Sequence, residues 1–137
     1  MPGGGSLNPS THETVDKKMH YVHQDGQAVF KFAVRKQTEL CERLLERETD
    51  LRKRYRRLIP QSGEIAASSW QAPTCLGLKP EMSVINIDRF GNTTAGTIPL
   101  AMDTARQEGK LEKGSLVMLA SVGAGFTVSA ALLRWTY

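Results

Sequence analysis

Histidines, cysteines, a basic run and two glycine-bounded loops are where this sequence could do chemistry. His20 and His23 lie three apart, a spacing that suits one face of a helix, and His12 precedes them. No carboxylate or cysteine completes a ligand set, and Gly26 ends any helix over these positions, so the histidines read as structural or solvent-exposed and no metal is expected. Cys41 falls on a helical pattern and Cys75 in an irregular stretch. Neither follows a strand at the start of a helix, where a thiolate would be stabilised, so both read as inert. Arg52-Lys53-Arg54-Tyr55-Arg56-Arg57 is the densest charge run. It would suit an acidic partner, yet beyond Tyr55 it lacks the interleaved aromatics of a nucleic-acid binder. Gly91-Asn92-Thr93 places a carboxamide in a loop, where an isolated asparagine ordinarily serves a turn. Val122-Gly123-Ala124-Gly125 is a tight turn that glycine permits.

The elements that must position these groups follow from hydrophobic periodicity. Residues 27–49 read as a long amphipathic helix, with Phe30, Val34, Cys41, Leu44 and Leu45 inward. Lys31, Arg35, Lys36, Glu42, Arg43 and Glu46 form its wet face. Residues 82–87 are a short apolar run with the length of a strand, and 88–93 a polar loop. Residues 94–107 have helix length, with Gly109 where a helix end would want it. Ala95, Gly96, Ile98, Leu100, Ala101 and Met102 leave that helix almost no polar face, which predicts burial between two layers. Pro99 lacks an N–H and is best tolerated in a first turn or at a kink. Residues 115–121 and 126–135 read as two further strands. The sum is an α/β body, a mixed sheet with a buried helix. Residues 1–19 are expected as a flexible loop at the start of a single domain, and 50–75 as irregular.

Composition bounds the rest. The chain has 137 residues, 40% of them hydrophobic, and a formal charge of +4. That is one domain with enough apolar content for a core. Two cysteines provide no disulfide framework, which points to the cytoplasm. No apolar run reaches the roughly 18 residues of a membrane span, and the start lacks the pattern of a signal peptide. No membrane or nucleic-acid partner is expected.

Two long motifs carry a resemblance. G-N-T-T-A-G-T-I-P-L-A (91–101) and K-G-S-L-V-M-L-A-S-V-G-A-G-F-T-V-S-A-A-L-L-R-W (113–135) resemble the C-terminal end of the beta-ketoacyl-ACP synthase III family of the thiolase superfamily. Upstream, H-Y-V-H-Q-D-G-Q-A-V-F-K-F-A-V-R-K (20–36) resembles the family's segment leading into a long helix, and Gly3-Gly4-Gly5-Ser6 with Pro9 the stretch before it. The resemblance implies the C-terminal half of an acyltransferase of fatty-acid synthesis, which condenses acyl-CoA with malonyl-ACP as carbon dioxide leaves. Asn92 then matches the catalytic asparagine. Ala124 matches a backbone N–H of the oxyanion hole, Gly26 and Phe30 the tunnel of the pantetheine arm, and Lys31 a basic position near the acidic carrier protein. The implied partners are acyl-CoA, acyl carrier protein, a missing N-terminal half and, in the full-length family, a second copy of the enzyme. No cofactor is implied.

The departures matter equally. The family's nucleophilic cysteine belongs to the half not represented here. Its histidine should follow Leu58-Ile59-Pro60, where this chain reads Gln61-Ser62-Gly63-Glu64-Ile65; His23-Gln24 lies elsewhere and is a decoy. Removing one base from a permitted codon choice for residues 60–65 restores Pro-His-Gln-Ala, so this stretch reads as a reading-frame disturbance. The chain is therefore expected to be inactive alone. The competing expectation is a non-catalytic half that pairs with a separate N-terminal half, or an inert paralogue. Either way, the apolar helix predicts poor solubility or self-association in isolation.

Overall fold

The computed structural model of the chain describes residues 3–47, 55–60 and 79–137. Of the segment 50–75 expected to be irregular, residues 50–54 and 61–75, with Arg52–Arg54 and Cys75, lie outside them, while residues 55–60 form a strand instead. Two helices sandwich a three-stranded sheet. Helix α1 spans His12–Asp16 and α2 Gly26–Glu46; β1 is Tyr55–Pro60. A 3-10 turn at Pro80–Met82 leads to the short α3, Ile87–Phe90. A second 3-10 turn, Thr94–Gly96, leads into α4, Thr97–Gln107, and the hairpin of β2, Leu116–Gly123, and β3, Thr127–Arg134, follows. The sheet order is β1-β2-β3. β1 runs parallel to β2, and β2 pairs antiparallel with β3 from Leu116↔Arg134 to Gly123↔Thr127.

Alternation along β2 makes two cores. Leu116, Met118 and Ala120 face Cys41 and Leu45 of α2, joined by Ala130 and Leu132 of β3. Val117 faces Ala101 and Ala105 of α4, with Val84 and Leu111, and Leu119, Leu133 and Trp135 on the margin. A strand covered on both faces needs a nearly continuous apolar run, which residues 116–120 supply. Val117 and Met118 are fully buried; removing either side chain to alanine would cost about 2–4 kcal/mol.

Helix α2 starts where Asp25 caps it, its carboxylate accepting the Ala28 N–H at 3.0 Å. Its buried positions, Ala33, Gln37, Cys41 and Leu45, recur every four residues. Phe30, expected inward, is instead 39% exposed, because it lies in the first turns, ahead of the part of the helix that meets the sheet. Helix α4 ends in a Schellman motif. Lys110 N–H reaches Ala105 O at 2.8 Å and Gly109 N–H reaches Arg106 O at 3.1 Å, with Gly109 at φ +67°. Pro99 stands third in α4, within the first turn.

One expected element changes. Residues 82–87 are not a ladder strand. They alternate like one, Val84 buried and Ile85 exposed, but form only an isolated bridge at Ser83 before the Asn86 carbonyl accepts the N–H groups of Arg89 and Phe90 and α3 begins. Residues 3–19 carry several local hydrogen bonds. Gly3 N–H donates to Met19 O at 2.9 Å, Gly4 N–H to Asn8 O at 2.8 Å, and Thr11 and Thr14 form a capping box on α1. Helix α4 buries Thr97, Ala101, Thr104 and Ala105 but leaves Ile98, Leu100 and Met102 only half-covered among the described residues. Among those residues no helix is long and apolar enough to cross a membrane.

Candidate functional site

The topology places the ends of β1 and β2 and the start of α4 at one end of the sheet. β1 and β2 are parallel, so their C-terminal ends, Pro60 and Gly123, lie together. The crossover between them ends in α4, which must run back against the strands, so its N-terminus returns to that same end. In parallel α/β sheets this is the end at which ligands bind.

Asn92 sits just before α4, on the loop that Gly91 opens. Gly91 takes φ +67° and donates its N–H to Ile87 O at 2.8 Å, closing α3, a conformation costly for any residue with a Cβ. The Asn92 side-chain oxygen then accepts the Thr94 N–H at 3.0 Å. Thr94 itself has φ +53°, an uncommon left-handed backbone for a β-branched residue. The hydroxyls of Thr93 and buried Thr97 meet at 3.1 Å, fixing the loop to the start of α4. Asn92 is exposed, its carbonyl oxygen is engaged, and its NH₂ group has no acceptor among the described residues. It can therefore donate to an incoming oxygen without releasing its anchor.

Ala124 begins the turn between β2 and β3. Its carbonyl accepts the Thr127 hydroxyl at 3.4 Å, while its N–H has no acceptor among the described residues. Gly125 has φ +149°, and a Cβ there would lie 3.1 Å from the Thr127 nitrogen. Phe126 is half-exposed and stacks on Phe32 of α2, ring centroids 4.6 Å apart at 28°. That contact brings the N-terminal part of α2 to the turn. Gly26, Phe30 and Lys31 are on this part of α2, all exposed. A Cβ at Gly26 would meet nothing within 4 Å, so the chain leaves open space there. Lys31 has no ion-pair partner among the described residues. Phe32 was invisible to sequence reasoning: it adjoins Lys31 in a helical run, and only its tertiary partner distinguishes it.

Cys41 is 2% exposed in the α2 core, and burial pushes its thiol up to about 11, with Glu42 adding in the same direction. It is no nucleophile at neutral pH. His12, His20 and His23 are exposed, and no group of three His, Cys, Asp or Glu side chains among the described residues could hold a metal ion. The described residues thus leave two donors without an acceptor, the Asn92 NH₂ and the Ala124 backbone N–H.

Residues 58–135 match the family model of the 3-oxoacyl-[acyl-carrier-protein (ACP)] synthase III C-terminal domain. The chain is 53% identical to beta-ketoacyl-[acyl-carrier-protein] synthase III of Koribacter versatilis and 51% identical to that of Solibacter usitatus, in each case over all of this chain and 41% of the relative. It therefore spans about two fifths of the length of the curated relatives it matches. Among solved structures, 3-oxoacyl-(acyl carrier protein) synthase III of Pseudomonas aeruginosa superposes with a TM-score of 0.76 at 34% identity, covering 85% of this chain and 37% of that one. The enzyme of Aquifex aeolicus gives 0.76 at 32% identity, covering 84% and 37%.

Proposed function

Since the chain belongs to the 3-oxoacyl-[acyl-carrier-protein] synthase III family, as a C-terminal portion of it, we propose that it supplies the enolate-binding side of a decarboxylating acyl condensation. In that reaction a cysteine thiolate on the other portion attacks the acyl-CoA carbonyl and CoA leaves as the thiol. The malonyl thioester of acyl carrier protein then loses carbon dioxide, its C–C bonding pair moving into an enolate. The enolate carbon attacks the cysteine-bound acyl group, the new C–C bond forms, and the cysteine thiolate is expelled. Asn92 donates its NH₂ to the thioester oxygen as that enolate develops. The Ala124 N–H donates to the tetrahedral oxyanion at the acyl carbonyl. Fixed donors of this kind are worth about 10²–10³ in rate each. Gly26 and Phe30 line the path of the pantetheine arm, and Lys31 attracts the acidic carrier protein. Acyl-CoA, acyl carrier protein, the upstream portion and a second copy of the assembled enzyme are the partners, in the cytoplasm.

The observation that carries the reading is the Asn92 carboxamide, its oxygen tied to Thr94 and its NH₂ left to donate. The test mixes this chain with the separately expressed upstream portion of the Koribacter versatilis relative and follows carbon dioxide release from malonyl-ACP. Release that requires both portions and falls at least about 100-fold in Asn92→Ala supports the reading. Release indifferent to Asn92 sinks it.

A second reading, a non-catalytic half, has its own support. Gln61 stands where the resemblance expects a histidine. A 1:1 complex with the upstream portion that releases no carbon dioxide would favour it. We propose further that residues 60–65 derive from a frame disturbance; genomic codons unable to yield Pro-His-Gln-Ala in any frame would exclude that.

A further inference from the structure

We propose that Phe32 is a positioning residue, the side chain that sets where the Ala124 amide stands relative to the rest of the site. The inference rests on the catalytic reading for the amide's role, but the mechanical tie stands on geometry. Three features hold the β2–β3 turn. The Thr127 hydroxyl reaches the Ala124 carbonyl at 3.4 Å. Cβ atoms at Gly123 and Gly125 would come within 3.0 Å of the Thr127 side chain, so these positions are packed against it. The Phe126 ring stacks on Phe32 with centroids 4.6 Å apart. The first two ties are internal and fix only the turn's own shape. Among the described residues the third reaches another element, and so ties the turn to α2.

The exposure of Phe126 sharpens this. At 49% exposed the ring is not sunk in either core, and neither core includes it. Its stack on Phe32 is therefore a clamp rather than one member of a packed cluster, in the offset range favoured by aromatic pairs. Phe30 and Phe32 are two apart in a helix and point to different sides. Phe32 can grip the turn while Phe30 stays open to a ligand. One stretch of α2 would then link the arm-binding end of the site to its oxyanion donor. A donor must stand about 2.7–3.1 Å from the developing charge, and a misplacement of about 1 Å can cost 10²-fold in rate, so such a clamp has consequences for chemistry.

The test is ¹⁵N relaxation on the labelled 137-residue chain in complex with the unlabelled upstream portion, wild type beside Phe32→Leu, Phe32→Tyr and Phe126→Leu. The leucine variants keep an apolar side chain but remove a ring face; the tyrosine variant keeps the ring. The expected result is a fall in order parameter at Ala124, Gly125 and Phe126, from about 0.85 to below about 0.6, in both leucine variants. Met118 and Leu119 should be unchanged, and Phe32→Tyr should behave as wild type. The proposal is overturned if Phe32→Leu leaves the turn ordered, if the loosening spreads equally along β2 and β3, or if Phe32→Tyr loosens the turn as leucine does. Should Phe32→Leu fail to fold, Phe126→Leu reads the same clamp from its other side. Titrating CoA into the two-portion mixture, with this chain labelled, separates the two claims. Resonances moving at Gly26, Phe30 and Ala124 with an ordered turn in Phe32→Leu would end the clamp and keep the catalytic reading. A freed turn with no CoA-induced shifts would keep the clamp and end that reading.

Discussion

The side-chain oxygen of Asn92 accepts the backbone N–H of Thr94 at 3.0 Å, so one half of the carboxamide is structural and the other half is available. The two halves are separable by substitution. Aspartate keeps an oxygen for Thr94 but has no N–H to donate. Asn92→Asp should leave the urea midpoint of the chain within the equivalent of about 0.5 kcal/mol, while carbon dioxide release in the two-portion mixture falls at least about 100-fold. Asn92→Ala should lose both, adding about 1 kcal/mol of destabilisation for the missing anchor. Equal rates in wild type and Asn92→Asp would show that the NH₂ does not act on substrate.

The turn at Ala124 and the start of α2 carry glycines with opposite demands. Gly125 has φ +149° and a Cβ there would press on Thr127 at 3.0–3.1 Å, so Gly125→Ala should destabilise by about 1–3 kcal/mol. Gly26 is the first residue of α2, with open space around it, so Gly26→Ala should stay within about 0.5 kcal/mol of wild type. If Gly26 lines the pantetheine path, that neutral change should still weaken CoA binding, measured by calorimetry on the two-portion mixture. A Gly26→Ala variant that binds CoA as wild type removes Gly26 from the path.

What the sequence made legible tracks how local the cause is. Gly109 announced the end of α4 because a C-terminal glycine acts through its own φ. The two hairpin strands followed from apolar runs bounded by glycines, whereas the division of β2 between two cores required the tertiary packing. The 82–87 segment misled, because strand-like alternation gives extended backbone but cannot supply a partner strand. Phe30 looked like core because periodicity assigns a helix face but not where the sheet beneath it stops. Asn92 drew notice through its flanking motif, yet the division of its carboxamide depends on the backbone of Thr94, which no pattern of residue types displays.

Cys41 offers a pH signature. Burial raises its pKa from 9.0 to about 11, so the folded state holds its proton longer than the unfolded chain does. The stability this contributes is fully present below pH 9 and is lost as pH rises through about 11, on the order of 2–3 kcal/mol in all. Wild type should lose more urea resistance between pH 8 and pH 10.5 than Cys41→Val, which has no proton to lose. In the native chain at pH 8, iodoacetamide should label Cys41 only at the rate of unfolding. Rapid labelling without unfolding would contradict the burial.

The uncovered side of α4 bears on how the chain behaves by itself. Ile98, Leu100 and Met102 are only half-covered among the described residues, and Ile85, Phe90 and Phe126 stand 40–49% exposed. Exposed apolar surface of this kind favours association over a solvated monomer. With a formal charge of only +4 on 137 residues, repulsion between copies is too weak to oppose it at physiological salt. Sedimentation velocity of the isolated chain should therefore show weight-average mass rising with concentration. Leu100→Lys should reverse the trend, because a lysine on the half-covered face keeps its ammonium in water while its stem lies along the helix. Adding the upstream portion should also suppress self-association, replacing the mixture of sizes with one complex. A monodisperse monomer across the concentration range would show that this face needs no cover.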